Sequence, residues 1–577
     1  MAKFQDIYKQ ELHNVRQLSK EFSEAHPNVA PMLREKSTDP DVERLLEGFA
    51  YVSAQIQEII DDQIPEFSGG LIKKFFPHYL RPLPSATIMS FKPKAELSEP
   101  FTVKKGAGFA SIPVNGTACK FRLCGNCLVK PIDLDSANLV KSSGEQQYIE
   151  LKFSLSGVDL SAWWTDSLKF HVGGGFSDAC QLYYILMRFV DRIEISSGEH
   201  SYQIPKSNLI DNGYSDDEAI LPYPGHASTA YRTLQEYFLM PEKYLYVSIS
   251  GLEKWVERGQ SNKFSIRLYL NNSVKNVPII NKNSFLLHTA PAINLFEYDA
   301  KPIVLTHMQY QYPIYPDAVE RSHYPIYTVK EVQGYQQGRV KAKHYVNIDN
   351  VREKTDKQLA YDIINKSSIT GEGLDSYISV LYNDDEDISS EETLSVLLEC
   401  SNGSLPEYLS KGEINLPTGN SPSLLSFENI YVPTTYKIPP DDDEWMWRLQ
   451  SMLSINYLSI ANAENLRSLL RFYLFLNKGR HVTRTAFQRQ IDSIEEVNVN
   501  NINRMVSGIM MRGQNIRLKC KLNDFGSEGE AFLFVNILDR FFATYTTLNS
   551  FTLLELIDSS TGEEISWPMR MGEQLLS

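Results

Sequence analysis

The segment EGEAFLFVNILDRFFATYTTLNSFTLLELIDSSTGEEISWPM, residues 528–569, carries both periods of regular structure in one run. Phe532, Val535, Leu538, Phe541, Phe542 and Tyr545 recur at steps of three and four, which gathers side chains on one face of a helix, so a helix is predicted over Glu528–Thr546. Phe551–Ile557 then alternates as a half-buried strand does. The Thr561-Gly562 pair turns the chain into a last strand around Ile565–Met569. This end of the chain reads as a mixed α/β domain.

Upstream of it the pattern is helical again. Asp441, Asp442, Asp443 and Glu444 precede a predicted helix at Trp445–Leu458, where carboxylates satisfy free N–H groups and favour the dipole. A second helix is predicted at Leu466–Leu476. Residues 412–440 are rich in Pro, Ser, Gly and Asn and read as a linker or extended arm, and the acidic run 384–392 reads as a solvated loop. From about residue 86 short segments such as Ala86–Lys92, Ala118–Leu123, Tyr148–Leu155 and Tyr244–Gly251 are β-branched or aromatic and separated by turn residues, the mark of a β-rich region. One short helix interrupts it at Ala179–Phe189.

The N-terminus is helical by period. Phe4, Tyr8, Leu12, Val15, Leu18 and Phe22 share one face, and a second stripe of Val42, Leu45, Leu46, Phe49, Val52, Ile56 and Ile59 follows the Thr38-Asp39-Pro40 start signal. A short helix is predicted around Leu71–Phe76. The fold class is therefore α+β and multidomain: a helical region at 1–85, a β-rich domain at 86–300, a second β-rich domain with linker at 301–435, and an α+β domain at 436–577. About three or four domains suit 577 residues, because single cores stop growing well below that length.

Composition narrows the function. With 42% hydrophobic and 22% charged residues the chain can offset its ordering entropy, so global disorder is excluded. A net charge of −14 is the opposite of a phosphate-tracking protein's, which argues against nucleic-acid binding. The first residues are charged every few positions and lack the apolar core of a signal peptide, and no run is long and apolar enough to span a bilayer. With six scattered cysteines added, the expected compartment is the reduced cytoplasm.

No catalytic constellation stands out. Cys119, Cys124 and Cys127 form C-x4-C-x2-C, but a structural zinc needs four ligands and no second pair completes the set, so no metal is expected. Gly173-Gly174-Gly175 lacks the spacing and lysine of a phosphate loop and reads as a turn. The eleven histidines are dispersed, and neither H-E-x-x-H nor G-x-S-x-G occurs. Carboxylate pairs of the kind glycosidases use are placed by the fold rather than by spacing, so a soluble carbohydrate-active enzyme in the β-rich middle stays open as an alternative.

Seven segments in order resemble one known family. They are DPDVERLLEGFAYVSAQIQEIIDDQIPEFSGGLIKKFFPHYLRPLPS (Asp39–Ser85), LQEYFLMPEKYLYV (Leu234–Val247), TAPAINLFE (Thr289–Glu297) with Tyr312, Pro316-Asp317 and Ile326–Val329 after it, CSNGSLPEYL (Cys400–Leu409), WRLQSMLSINYLSI (Trp447–Ile460), EAFLFVNILDRFFATYTTLNSF (Glu530–Phe551) and the closing SWPMRMGEQLL. Together they are similar to TssF, also called VasA or ImpG, a wedge subunit of the type VI secretion baseplate. Cys124, where the family often has Thr, and the aromatic start Trp445-Met446-Trp447 depart from its pattern.

The resemblance implies a structural protein with no catalytic residue and no cofactor. It implies that two TssF copies join one TssG in a wedge around the spike. It also implies contacts with TssE and with TssK, which ties the baseplate to the inner-membrane complex. A prophage contractile-tail wedge protein is the nearer alternative. On this reading Leu45, Leu46, Phe49, Val52, Phe296, Trp447 and Phe541 are the candidate partner-binding residues.

Overall fold

The computed structural model describes residues 77–572, apart from 95–96, 98, 142–145, 224–228, 272–273, 275, 307, 337–341, 349–358, 368–373, 382–391, 441–444, 446, 451–461, 478–480, 507 and 548. N-terminal to these it describes residues 8–9, 12, 15–16, 44 and 47–54. Contacts group the chain into two compact units, Met1–Pro77 with Pro440–Ser454, and His78–Pro439 with Ile455–Ser577.

In the smaller unit every described residue before position 77 is helical, as are 445 and 447–450. Ala50, Ala54, Trp445 and Leu449 are buried. The rest of the predicted helices at 4–25, 38–65, 71–76 and 445–458 lies outside the described residues, as does the acidic run up to 391.

The larger unit is built on sheets. Ala86–Pro93 is buried over its first six residues and sits deep in a six-stranded sheet, between Thr289–Ile293 and Leu425–Asn429. A strand apolar on both faces must be covered on both, so its run of Ile88, Met89 and Phe91 calls for an interior position. Met89, Phe91, Phe109, Phe121 and Leu123 share one core with Leu405, Leu409 and Ile414. A five-stranded sheet (order His200–Ile204, Val190–Ser197, Lys263–Leu270, Tyr148–Leu155, Ile132–Val140) and a four-stranded one around Ser167–Val172 follow. A further sheet, running from Phe296–Asp299 through Glu392–Cys400 and Ile326–Gln336, carries a second core on Val332, Leu394, Val396 and Leu398.

The C-terminal sheet begins with a hairpin, Ile494–Val506 and Ile509–Cys520, and continues with Ser550–Asp558 parallel to the hairpin's second strand. Parallel neighbours need a crossover, and the helix Glu528–Tyr545 supplies it. Ser527 caps that helix by accepting from the N–H of Glu530 at 3.2 Å. The helix packs on Phe176–Phe189 at a glycine: a Cβ on Gly529 would lie 2.3 Å from the backbone carbonyl of Cys180, so only glycine admits this approach.

The helices predicted at 179–189, 466–476 and 528–546 are observed as Phe176–Phe189, Ala463–Phe472 with a 3-10 turn Tyr473–Asn477, and Glu528–Tyr545. Gly173–Gly175 is the turn between Ser167–Val172 and its helix. The helices Thr229–Leu239 and His481–Asp492 and the long hairpin were not expected. The linker reading of 412–440 is corrected to its other form, an arm. Leu416–Pro417 pairs with Gly108–Val114, Leu425–Asn429 pairs with Ala86–Pro93, and the Thr434 hydroxyl accepts from the N–H of Ala86 at 2.9 Å. A segment broken up by Pro, Gly, Ser and Asn forms no sheet of its own, so its backbone groups find their partners in a neighbouring sheet, and Ile414 and Leu425 join that sheet's core.

Candidate partner-binding surface

The recognisable motifs converge on buried polar nodes. Asn294 and Asn402 are 108 positions apart and almost fully buried. The Asn294 amide donates to Asn402 Oδ1 at 2.9 Å and to the carbonyl of Lys120 at 2.7 Å, while the N–H of Asn402 donates to Asn294 Oδ1 at 2.6 Å. Asn402 Nδ2 also reaches the carbonyl of His323. Two side-chain amides thereby tie four chain segments together, around Lys120, Asn294, His323 and Asn402, and each would leave buried groups unpaired if lost. Gly403, at φ +57°, completes the Asn-Gly turn.

A second node carries charge. Glu236 and Lys243, at 1% and 2% side-chain exposure, form an ion pair. Glu236 Oε1 also accepts from the N–H of Leu221 at 2.9 Å and Oε2 from the Tyr244 hydroxyl at 3.5 Å. At the C-terminal end Arg570 pairs with Asp539, and Arg540 pairs with Asp211 at 2.6 Å while lying 3.6 Å over the Tyr214 ring. Burial pushes the Asp539 carboxyl above its ordinary range against the opposing pull of Arg570. Trp567 stacks on Phe532 at 5.3 Å. The conspicuous motif residues thus hold the architecture from inside.

The candidate partner residues divide by exposure. Phe49 is 65% exposed, Val52 50% and Trp447 55%, large apolar side chains that a lone chain gains nothing by showing to water. Leu45 and Leu46 lie outside the described residues. Phe296 is 9% exposed, set edge-on to Tyr298 and Tyr324 under the Lys120 ammonium. Phe541, a partner-binding candidate, is fully buried, edge-on to Tyr231 at 5.9 Å, and so fills the core of this chain. It occupies the apolar stripe of a helix covered on most sides, where helical spacing does not distinguish core from interface.

Two open clefts of about 510 and 500 Å³ lie near this network, both lined by Asp216 and Arg232. Asp216 bonds Arg232, Asp211 bonds Arg540 and Glu218 bonds Lys169, so the carboxylates at these walls are tied to cations. All six cysteines are free and buried. Burial pushes Cys119 up to about 11 and Cys124 and Cys127 up to about 12. Cys119 and Cys127 belong to the core of the six-stranded sheet, whereas the Cys124 thiol points to the carbonyl of Ile220 at 3.9 Å.

Two buried histidines make the fold acid-sensitive. Burial lowers His171 to about 4; it lowers His288, helped by nearby Lys130, to about 3. Below the ordinary histidine pKa the unfolded chain takes up protons that the folded chain refuses, so stability falls as pH drops from about 6.5. Each histidine is expected to remove about 2–3 kcal/mol by about pH 4.5. Thermal unfolding followed across that range checks this, and a melting temperature that holds level contradicts it.

Comparison with known proteins gives a consistent picture. A family model described as "Type VI secretion system, TssF" matches residues 1–574. The type VI secretion system component TssF1 of Pseudomonas aeruginosa is 25% identical over 617 aligned positions, covering 99% of this chain and 98% of that protein. Among solved structures, a chain of the type VI secretion system TssK-TssF-TssG baseplate subcomplex, from cryo-electron microscopy, superposes with a TM-score of 0.77 at 24% identity, over 93% of this chain and 100% of that one. A chain of the baseplate complex from the type VI secretion system gives 0.63 at 22% identity, over 99% and 100%. These two share the fold. With motif segments knitted into common nodes along the chain and a family model that runs from residue 1 to 574, the chain belongs to the TssF family of the type VI secretion system.

Proposed function

We propose that this chain is a structural subunit of a type VI secretion baseplate, working by apolar contact with neighbouring subunits and making or breaking no bond. The exposure of Phe49, Val52 and Trp447 in the helical N-terminal unit carries this reading: such side chains seek a partner surface, and the family supplies one. TssG and TssK, named with TssF in the related complex, are the proposed first partners. A second copy of this chain, TssE and the spike follow from the family resemblance, as does a cytoplasmic station beside the inner-membrane complex. Permanent interfaces of this kind bury on the order of 2,000 Å² or more and have apolar centres.

The test is co-expression with a candidate TssG. Phe49→Asp combined with Val52→Asp is expected to abolish co-purification while leaving the melting temperature unchanged, since both side chains are exposed. Trp447→Ala is expected to weaken it. A folded double variant that still brings down TssG would overturn the assignment.

A further inference from the structure

The hairpin Ile494–Val506 and Ile509–Cys520 is not absorbed by any role described above. Among the described residues its first strand lies at the edge of the C-terminal sheet, with Ile509–Cys520 the one strand paired to it, and the carbonyl of Ile494 at its start accepts from Arg467. That edge runs for 13 residues without proline or lysine, and between Val497 and Asn503 it carries no charged side chain of the kind that blunts a free edge. Val497 is buried and Val499 half-buried on one face, while Asn498, Asn500, Asn501 and Asn503 are exposed. Beyond Arg512 the second strand loses its other neighbour, Ser550–Asp558, so the tip continues as a two-stranded ribbon. On that ribbon Met505 faces Met510, and the two are 70% and 64% exposed.

The charge of this element opposes that of the chain. The protein carries a net −14, yet the hairpin, residues 494–520, holds Arg504, Arg512, Arg517 and Lys519 against Glu495 and Glu496 at its base, and residues 497–523 contain no Asp or Glu. Arg517 is engaged by Glu555 and Lys521 by Glu495. Arg504 and Arg512 are exposed, and in the strand register they face Met511 and Asn503 rather than carboxylates.

We propose that the edge of residues 497–506, with the arginine–methionine tip of its hairpin, docks an acidic polypeptide segment in extended conformation by strand addition. The unpaired backbone of the edge supplies the main-chain hydrogen bonds, the guanidinium groups select carboxylates, and the flexible methionines fit alternate side chains of varied shape. This rests on the edge and its charge, independently of which baseplate subunits the N-terminal unit meets.

The full chain should be titrated with a fluorescein-labelled peptide of about nine residues, an ordinary strand length, alternating Val and Glu, and with its Val/Lys counterpart. The acidic peptide is expected to bind and to protect amides within 497–506 from hydrogen exchange. The Arg504→Glu, Arg512→Glu variant, unchanged in melting temperature, should bind it at least about tenfold more weakly, and the lysine peptide should not bind the native chain. The proposal falls if the acidic peptide fails to bind, if charge reversal leaves its affinity unchanged, or if binding brings no new protection at 497–506. It falls equally if sedimentation shows that the edge is occupied by a second copy of the chain whose dimer the variant dissolves.

Discussion

Glu236→Ala is expected to cost about 3–5 kcal/mol of folding stability, the range found when one partner of a buried ion pair is removed. Lys243, 2% exposed, would be left as a buried cation beside a vacated site, and the N–H of Leu221 would lose its acceptor. Glu236→Gln, which keeps an acceptor for Leu221 but not the charge, should fall between the variant and the native chain. Replacing both members with apolar residues, Glu236→Leu with Lys243→Met, should recover most of the loss, because the penalty comes from the stranded charge rather than from the missing attraction. Denaturant unfolding of the four proteins separates these cases. A loss below about 1 kcal/mol in Glu236→Ala would mean that the pair contributes little to the fold.

Phe541→Ala should be comparably damaging, about 3–5 kcal/mol, as for other large aromatic truncations in cores. The ring is fully buried between neighbours that include Tyr231, on a helix packed against both Phe176–Phe189 and Thr229–Leu239. The variant that remains folded should associate with other subunits as the native chain does. The expected behaviour of Phe49→Asp with Val52→Asp is the mirror image: stability kept, association lost. Calorimetry and co-purification on the same samples separate the two. If Phe541→Ala kept its stability and lost its partners, the assignment of this residue to the core would be wrong.

These contrasts mark where the sequence was legible. Period alone placed the strand Ser550–Asp558, which buries alternate residues, and the helix Glu528–Tyr545, whose largest apolar side chains recur at helical steps although it is covered on most sides. It missed Thr229–Leu239, where nine of eleven residues are buried, Arg232, Gln235 and Glu236 among them. A helix covered on nearly all sides has no apolar stripe to detect, and its buried polar residues meet partners such as Asp216, Tyr223 and Lys243 that lie outside the helix. It missed His481–Asp492 because few of its residues, such as Phe487 and Ile491, face a core. The hairpin was hidden by asparagines at positions 498, 500, 501 and 503, poor strand formers that are exposed on both faces and break the alternation begun by Val497 and Val499. Among the candidate contacts, Phe49, Val52 and Trp447 proved exposed, whereas Phe541 did not; spacing reports that a stripe exists, not whether this chain or another covers it.

The placement of Ala86–Pro93 has a consequence for how the protein is made. This strand, with its first six residues buried in the finished sheet, needs Thr289–Ile293 on one side and Leu425–Asn429 on the other, and Ala86 waits for Thr434, 348 positions later. At about 5–20 residues per second on the ribosome, a nascent chain shows this apolar strand to its surroundings for some tens of seconds before its last neighbour emerges. Its yield in a cell is thus tied to the supply of holding chaperones during synthesis, and truncations that remove the arm should aggregate, because they take away both the strand's last neighbour and the core side chains Ile414 and Leu425.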